Sequence, residues 1–378
     1  MYDGIEIDVL SLGDADCIVV TKWESSFPHR VLIDGGSGAD AEIVIDFLRS
    51  RGYTNLWAAL CTHPHNDHAR GLIKVVQNRS FTIHNGWMHD IRRHVRADAL
   101  LRASADDCVK EVVETTKELA NAFASRRIVP QEPFSDSCIA GWPYMTVLGP
   151  SLPYYNTVIE EFTDANPASP SWLALASALG AGMPRPVSAL AGLTPPPRYS
   201  ALSSFLPPSQ SPSNFALPLG SYMGLLSNSS VKKNPTTQTF NNTSVILGIK
   251  FNEQRLILTA DAGSEALGRV PAEWNHLLYM GVPHHGSDGN LSQMDIERFC
   301  PEFAVVSARG DSSHPSRAIV SGLVKVGARV CSTHKSGNLR FWCGRVPYRA
   351  DYEPAEPLKG TGEPEPVLDW IRVLSGTK

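Results

Sequence analysis

The stretch 62–68, THPHNDH, constrains this chain most, because it gathers three histidines and an aspartate directly behind the apolar segment 56–61. The four side chains are His63, His65, Asp67 and His68. Ionisable groups at the end of a buried strand are costly to desolvate unless they are paired or bind a metal. Imidazoles and carboxylates are ligands for divalent ions such as Zn²⁺ and Mn²⁺. We therefore predict a site for two divalent ions; a histidine-rich loop without chemistry is the alternative.

The spacing within this stretch divides the ligands between the two ions. In an extended segment, side chains two residues apart leave the same side, so His63 and His65 can bind one ion. Asp67 and His68 follow where the chain turns into a helix, predicted over 69–77, and they can reach the second ion. The ligand types do not separate Zn²⁺ from Mn²⁺, because mixed imidazole and carboxylate sites accept both.

The chain as a whole is long enough to bury a large core. Its 378 residues, 42% hydrophobic and 19% charged, fit one large soluble domain with insertions or two small ones. The formal net charge of -4 argues against a surface coated in positive potential. Nucleic acid is therefore neither required nor excluded as a partner.

The cysteines and the start of the chain predict where the protein works. Seven cysteines are scattered without a Cys-x-x-Cys pair, which is typical of reduced thiols in a cytosol. The first residues read as an alternating strand and not as a secretion signal. No window reaches the roughly 18 uninterrupted apolar residues of a membrane helix. We predict a cytoplasmic protein without a membrane partner.

The first part of the chain alternates short strands with helices. Strands are predicted over 4–10, 16–23, 30–33, 56–61 and 81–83, and a helix over 41–51 with Ile43, Ile45, Phe47 and Leu48 available for burial. The third strand ends in Asp34, followed by two glycines. Its carboxylate could orient a metal-bound histidine, or it could cap a turn.

A basic cluster and a long helix follow. Arg92, Arg93 and Arg96 form either a solvated face or a rim that contacts phosphate. Apolar residues at helical spacing over 98–125 then predict one long helix, an insertion within about 96–126 that serves as scaffold or interface.

A Pro-rich and Ser-rich segment separates the two halves of the chain. Between 165 and 230 the only charged residues are Arg185 and Arg198. We predict that 165–240 is an insertion packed on the main domain or on a protein partner or second subunit, with an active-site lid as the alternative. It divides an N-terminal half, 1–164, from a C-terminal half, 241–345, and 346–378 is predicted to be a surface tail.

Polar residues end four strands of the second half. The strand ends carry Asp261, the pair His284 and His285, Ser307, and Thr333. Polar groups at the ends of several strands are typical of a site formed where those strands end at one edge of a sheet. We therefore expect these groups to lie near one another.

These stretches together resemble the metallo-β-lactamase-fold hydrolases, and most of all the nuclease domain of the ComEC-type DNA-uptake proteins and their stand-alone bacterial relatives. The matching stretches are GDAD at 13–16, LIDGG at 32–36, THPHNDH at 62–68 with GL at 71–72, NTSV at 242–245, LTAD at 258–261, VPHHGS at 282–287 and HP at 314–315. They occur in the family's order, and the long helix, the insertion and the tail fall outside them.

The resemblance implies an αββα sandwich in the α/β (α+β) class, with the site at one sheet edge. It implies that His63 and His65 bind the first ion, and that Asp67, His68 and His284 bind the second. Asp261 would bridge the two ions. His285 could replace His284, since the sequence does not show which ring faces inward. The family's further histidine is missing after 148–150, so water, substrate or His89 would complete the first ion's ligands.

The function that the resemblance implies is a phosphodiesterase or nuclease that uses a metal-bridged hydroxide. Asp67 would orient that nucleophile, and His314 would donate a proton to the leaving group or contact a phosphate. Ser287 and Ser307 are lesser candidates for substrate contact. A hydrolase of a small ester, lactone or thioester is the second prediction, and a non-catalytic, metal-stabilised interaction module is the third.

Overall fold

The computed structural model describes residues 1–25, 27–135, 142, 144–164, 239–311, 313–360 and 373–376. All of them belong to one compact unit, Met1–Trp172 with Lys233–Lys378, and Leu173–Lys232 is assigned to a second unit. The predicted insertion over 165–240 lies outside the described residues except for its last two positions. Its role as a lid or an interface therefore stays a prediction.

Among the described residues, the first sheet contains eight strands drawn from both ends of the chain. They are β1 (Tyr2–Val9), β2 (Ile18–Ser25), β3 (Phe27–Ile33), β4 (Asn55–Leu60), β5 (Thr82–Trp87), β12 (Leu339–Arg345), β13 (Tyr352–Pro354) and β14 (Val373–Gly376). Their order is β13-β14-β12-β1-β2-β3-β4-β5. Strands β3, β4 and β5 run parallel, so their carboxyl ends lie at one edge.

The second sheet, as far as it is described, contains six strands. They are β6 (Met145–Gly149), β7 (Ile246–Phe251), β8 (Gln254–Leu258), β9 (Tyr279–Gly281), β10 (Phe303–Val306) and β11 (Arg329–Ser332). The order is β11-β10-β9-β8-β7-β6, with β8 to β11 parallel. A two-residue turn joins β7 to β8, and Asn252 in that turn has a left-handed φ of 53°, which asparagine tolerates well.

Helices cover the outer faces of both sheets. They are α1 (Ala41–Ser50), α2 (Asn66–Gln77), α3 (Ala97–Ala103), α4 (Asp107–Ser125), α5 (Leu152–Asp164), α6 (Ser264–Leu267), α7 (Gln293–Phe299), α8 (Arg317–Lys325) and α9 (Thr333–Ser336). Apolar residues of α1, α2 and α4 pack on the first sheet in one core cluster. Those of α5, α7 and α8 pack on the second sheet in another.

A third core lies between the two sheets. Ile7, Val31 and Leu60 from the first sheet meet Leu247 and Val305 from the second, and all five are at least 97% buried. Alternate residues of each strand face this core, while the others face the helices. The four layers are thus helix, sheet, sheet and helix, which confirms the predicted αββα sandwich of the metallo-β-lactamase fold.

Two helix predictions need correction. The long helix predicted over 98–125 is two helices, because the chain breaks before α4 and the Asp106 side chain caps the new helix by accepting from the amides of Cys108 and Val109. In α1, Ile43 is 52% exposed, whereas Val44 is buried in its place.

The predicted surface tail, 346–378, also needs correction. Two of its segments, β13 and β14, pair with the first sheet through β12. Tyr352 is buried there, and its hydroxyl donates to Asp8 Oδ1 at 3.2 Å. In the part of the chain that the structure describes, no helix is both long enough and apolar enough to cross a membrane.

Candidate metal centre

The candidate site lies where the carboxyl ends of strands from both sheets meet. Asp34 follows β3, the stretch 62–68 follows β4, Asp261 follows β8, and His284 and His285 follow β9. His63 Nε2, from the first sheet, lies 3.7 Å from Asp261 Oδ2, from the second. The parallel direction of these strands brings their polar ends to one edge, as in other open α/β sheets.

The extended backbone after β4 aims two rings at one point. His65 has φ -72° and ψ 155° and is the N-cap residue of α2, which begins at Asn66, earlier than predicted. His63 Nε2 and His65 Nδ1 are 3.0 Å apart. Such a separation between two ring nitrogens fits convergence on a shared ion.

Among the residues that the structure describes, two groups of side chains could each hold a metal ion. The first group is His63, His65 and Asp261, and the second is Asp67, His68, Asp261 and His285. Within each group the ligand atoms all lie within 4.8 Å of one another. Asp261 belongs to both groups, and its Oδ2 lies 3.7 Å from His63 Nε2 and 3.5 Å from His68 Nε2. One carboxylate could therefore bridge two ions.

The histidine pair after β9 differs from the assignment favoured by the resemblance. His285, and not His284, joins the second group, with its Nε2 3.8 Å from Asp67 Oδ2. His284 Nε2 lies 3.7 Å from Asp261 Oδ2, and its Nδ1 is 2.8 Å from Asn290 Oδ1. Both histidines have a left-handed backbone, with φ of 46° and 55°, so the two rings leave this turn in different directions.

Hydrogen bonds to the outer nitrogens fix two of the ligand rings. Asp34 Oδ2 lies 2.9 Å from His68 Nδ1 and 2.6 Å from the Thr62 hydroxyl, which donates to it. Asp34 Oδ1 accepts from the Thr62 amide at 2.8 Å. His285 Nδ1 donates to the Ser307 carbonyl oxygen at 2.9 Å. In each ring Nε2 is thereby left to face the ligand group.

The ligands differ in charge because they differ in their carboxylate neighbours. Burial lowers the pKa of His63 well below its usual value, and it lowers the pKa of His65 to about 4. Burial also lowers the pKa of His68, but Asp261, Asp67 and Asp34 together raise it well above its usual value. In the absence of ions, a proton on His68 supplies positive charge that the carboxylates require.

Three buried atoms at the centre have no hydrogen-bond partner among the described residues. They are Nε2 of His68, Nε2 of His285 and Oδ1 of Asp261. Buried polar atoms without partners are rare in folded proteins, because each loses its hydration without replacement. All three belong to the ligand groups, so the side chains present fit two divalent ions.

His314 lies beside the histidine pair at the outer edge of the site. Its ring centroid is 5.8 Å from that of His284 and 5.9 Å from that of His285. Its Nδ1 lies 3.8 Å from Asp14 Oδ2. Burial lowers the pKa of His314, and His285 lowers it further. A lowered pKa disfavours the protonated ring in the free protein, which does not favour the predicted role of proton donor.

Two serines proposed as substrate contacts are buried in the fold. The Ser307 hydroxyl donates to the Ala15 carbonyl oxygen at 2.9 Å, so it joins the loop after β10 to the loop before β2. Ser287 is 3% exposed, and its amide donates to the His284 carbonyl oxygen at 2.9 Å. The Ser307 hydroxyl thus supports the wall of the site, and substrate contact by either serine stays a prediction.

His89 belongs to neither ligand group, contrary to its proposed role at the first ion. Its Nε2 donates to the Pro133 carbonyl oxygen at 3.1 Å, and its ring stacks on Phe134 at 4.5 Å between centroids. The ring also lies 4.7 Å from that of Tyr155. An aromatic cluster, rather than the metal centre, therefore holds this histidine.

The basic cluster is largely neutralised by carboxylates. Arg92 donates to both oxygens of Asp90, at 2.8 and 2.7 Å, and Arg93 lies 3.5 Å from Glu132. Arg96 lies 3.1 Å from an oxygen of Asp98. These ion pairs are typical of a solvated face, the first of the two predicted roles, and the phosphate rim stays a prediction.

Sequence reasoning missed several residues that support the site. Asp16 lies 3.8 Å from His285 Nδ1, and Asn290 contacts His284 while donating to the Asp261 carbonyl oxygen at 2.8 Å. On α4, Cys108 Sγ lies 4.0 Å from His65 Nε2. The GDAD stretch at 13–16 was a signal for Asp16, whereas nothing local marked Asn290 or Cys108.

The four layers and the site at one sheet edge agree with the architecture predicted above. No protein-family model matches the chain. ComE operon protein 3 of Bacillus subtilis (strain 168) is 26% identical over 111 residues, which are 28% of this chain and 14% of that relative. This chain thus matches about a seventh of the length of that relative.

The solved structures similar to the chain include three hydrolases. AidC, a dizinc quorum-quenching lactonase, is 10% identical with a TM-score of 0.35, covering 94% of this chain and 81% of that one. A diphosphatase from the PhnP family is 11% identical with a TM-score of 0.34, covering 88% and 87%. Hydrolase AbOPH of the beta lactamase superfamily is 20% identical with a TM-score of 0.27, covering 35% and 47%.

Proposed function

We propose that this chain is a dinuclear metal-dependent hydrolase that cleaves phosphodiesters, with nucleic acid as the substrate class. The observation that carries the proposal is the sharing of Asp261 by two groups of buried ligands. When bound, two neighbouring divalent ions activate water and neutralise charge on the attacked and leaving oxygens of an in-line displacement. Either Zn²⁺ or Mn²⁺ suits this ligand set.

The two ligand groups differ in a way that favours an asymmetric site. The first group has three residues and the second has four, so the first leaves more room for a substrate oxygen. Asp67 is the ligand whose side chain reaches the surface, with 38% of it exposed. Its carboxylate would help to hold an ion and would orient the attacking water by accepting a hydrogen bond from it.

His314 would contact the substrate from the opposite wall. Its ring, whose pKa is lowered by burial and by His285, would donate a hydrogen bond to a phosphate oxygen. An anionic substrate would raise the pKa of the ring by Coulombic attraction. A proton could then pass to the leaving oxygen only in the complex with substrate.

Activity assays on the Asp67→Ala variant test this proposal. The wild type, loaded with Zn²⁺ or Mn²⁺, would be assayed on single- and double-stranded DNA, RNA and bis(p-nitrophenyl) phosphate. We expect hydrolysis of at least one of these substrates, and a loss of about a thousandfold in the variant, since a two-metal site acts as a unit. Asp46→Ala, which removes a carboxylate with 76% of its side chain exposed, is the matched control.

The alternatives give different results in the same assay. Hydrolysis of esters or lactones with every phosphodiester left intact would favour the small-molecule hydrolase predicted second. No turnover of any substrate by a folded protein with both ions bound would favour the interaction module predicted third. Circular dichroism and metal analysis of each variant separate a lost function from a lost fold.

A further inference from the structure

A groove lies beside the metal centre, on the far side of His314. It has a volume of about 390 Å³, and Pro315 forms part of its wall. The same proline packs against Gly286 of the histidine turn, where an added Cβ would lie 2.8 Å from Pro315 Cβ. The Ser316 amide donates to the Gly286 carbonyl oxygen at 3.0 Å. One thin wall of chain therefore separates the groove from the ligand histidines.

Positive charge predominates along the groove. Its lining includes three exposed cations, Arg317, Lys335 and Lys359, and one carboxylate, Glu356. Within the described part of the chain, neither Arg317 nor Lys335 forms an ion pair. In this respect they differ from the basic cluster near Asp90, whose cations are paired.

The position of Arg317 is unfavourable for the protein alone. It is the first residue of α8, whose first turn contains no acidic residue. The positive end of the helix dipole repels a cation there. An anion in the groove would reverse this repulsion, because it would attract both the guanidinium and the helix terminus.

We propose that this groove binds the phosphates next to the scissile one on the same nucleic acid strand. The inference rests on the proposed function and extends it, because it selects a chain of phosphodiesters over a single small diester. Contacts to backbone phosphates do not depend on base sequence, but they do depend on salt. DNA and RNA share this chemistry, so the test includes a DNA strand and an RNA strand.

The Arg317→Ala/Lys335→Ala double variant tests the groove. KM and Kd would be measured for a 12-nucleotide single strand, as DNA and as RNA, and KM for bis(p-nitrophenyl) phosphate. We expect KM and Kd for the strand to rise about tenfold more than KM for the small diester. The slope of log Kd against log salt concentration should also fall by about 1.4, or 0.7 per lost contact.

Lys325→Ala is the matched control, since Lys325 is an exposed cation at the other end of the same helix. Unchanged strand affinity and salt slope in the double variant would contradict the proposal that the groove binds phosphates. Equal losses on the strand and on the small diester would overturn it as well, because they would indicate general damage to the site. If the double variant binds the strand more weakly while the wild type cleaves no phosphodiester, the result would support the groove and refute the proposed reaction.

Discussion

The Asp34 carboxylate holds three groups at once: the amide and hydroxyl of Thr62 and Nδ1 of His68. Its backbone is left-handed, with φ of 56°, which costs a non-glycine residue on the order of 1 kcal/mol. The strain persists because the surrounding bonds determine the conformation. Asp34 therefore contributes to the metal centre without belonging to either ligand group.

Replacing Asp34 by asparagine should weaken metal binding while leaving the fold intact. Asparagine keeps the shape but loses the charge that attracts the His68 ring, so we expect metal affinity to fall about 10- to 100-fold. Competition with a chromogenic chelator measures the change. Asp40→Asn is the control, because Asp40 caps Ser37 in the same loop and touches no ligand. Equal affinities in the two variants would contradict this role.

Single-residue roles were predictable only where the sequence itself places groups together. The spacing of His63, His65, Asp67 and His68 sufficed to predict a shared site, because four groups in so short a stretch of chain must lie close together. The choice between His284 and His285 depends on two positive φ angles, which no local pattern prescribes. The pairing of Arg93 with Glu132 likewise depends on how the chain folds back after β5.

At the scale of elements, backbone contact sets the position of α2 against the end of β3. The Gly71 amide donates to the Gly36 carbonyl oxygen at 2.9 Å, and the Gly35 amide donates to the His68 carbonyl oxygen at 2.8 Å. There is no space for a side chain at this contact, since a Cβ on Gly71 would lie 1.8 Å from the Gly35 carbonyl oxygen. The helix that carries Asp67 and His68 is thereby fixed to the turn that carries Asp34.

Substituting Gly71 by alanine should therefore displace α2. We expect the free energy of unfolding to fall by about 1–3 kcal/mol or more, as for other overpacked sites, and metal affinity to fall with it. Urea denaturation measures the first change, and metal competition measures the second. Gly38→Ala is the control, because its added Cβ would meet only Arg70 Cβ at 3.7 Å. Equal stability in the two variants would show that the contact can relax.

Elements were predictable where their own residues determine them. The strands β1 to β4 and the hairpin of β7 and β8 follow from local alternation and turn residues. By contrast, β13 is three residues long and ends in proline, so it forms only because β14 and, beyond it, β12 offer an edge. Pairing between distant parts of the chain leaves no local pattern to read.

At the scale of the whole molecule, a buried polar network in the first sheet joins residues near the beginning of the chain to residues near its end. Glu6 on β1 accepts from Arg340 on β12 and from Arg349 beyond it, each at 2.7 Å. Asp8, 1% exposed, accepts from the hydroxyls of Tyr53 and Tyr352 at 3.1 and 3.2 Å. Burial, with Glu6 nearby, raises the pKa of Asp8 to about 6.

This network should make stability depend on pH through Asp8. The folded-state pKa of about 6 lies above the ordinary value of 3.8, so the contribution of Asp8 is full below about pH 4 and is lost as the pH rises through 6. Asp8→Asn stays neutral, so it should exceed the wild type in stability by about 3 kcal/mol at pH 8, and the difference should vanish near pH 4.

Urea denaturation of both proteins at several pH values measures this difference. Asp46→Asn, which changes an exposed carboxylate, serves as the control. If Asp8→Asn were instead less stable than the wild type at pH 8, ionised Asp8 would be the form that the arginines favour.

The pairing of β1 with β12 has a consequence for how this protein is made. Asp3 lies opposite Arg345, and Val9 lies opposite Leu339, so the ribosome must add more than three hundred residues after β1 before its partner exists. Until then one edge of β1 stays open, and pairing over such separations is slow. Every residue of the two ligand groups has been translated by then, but the sheet that supports them cannot close. Uptake of the proposed ions into a finished site would therefore belong to the last stage of biosynthesis.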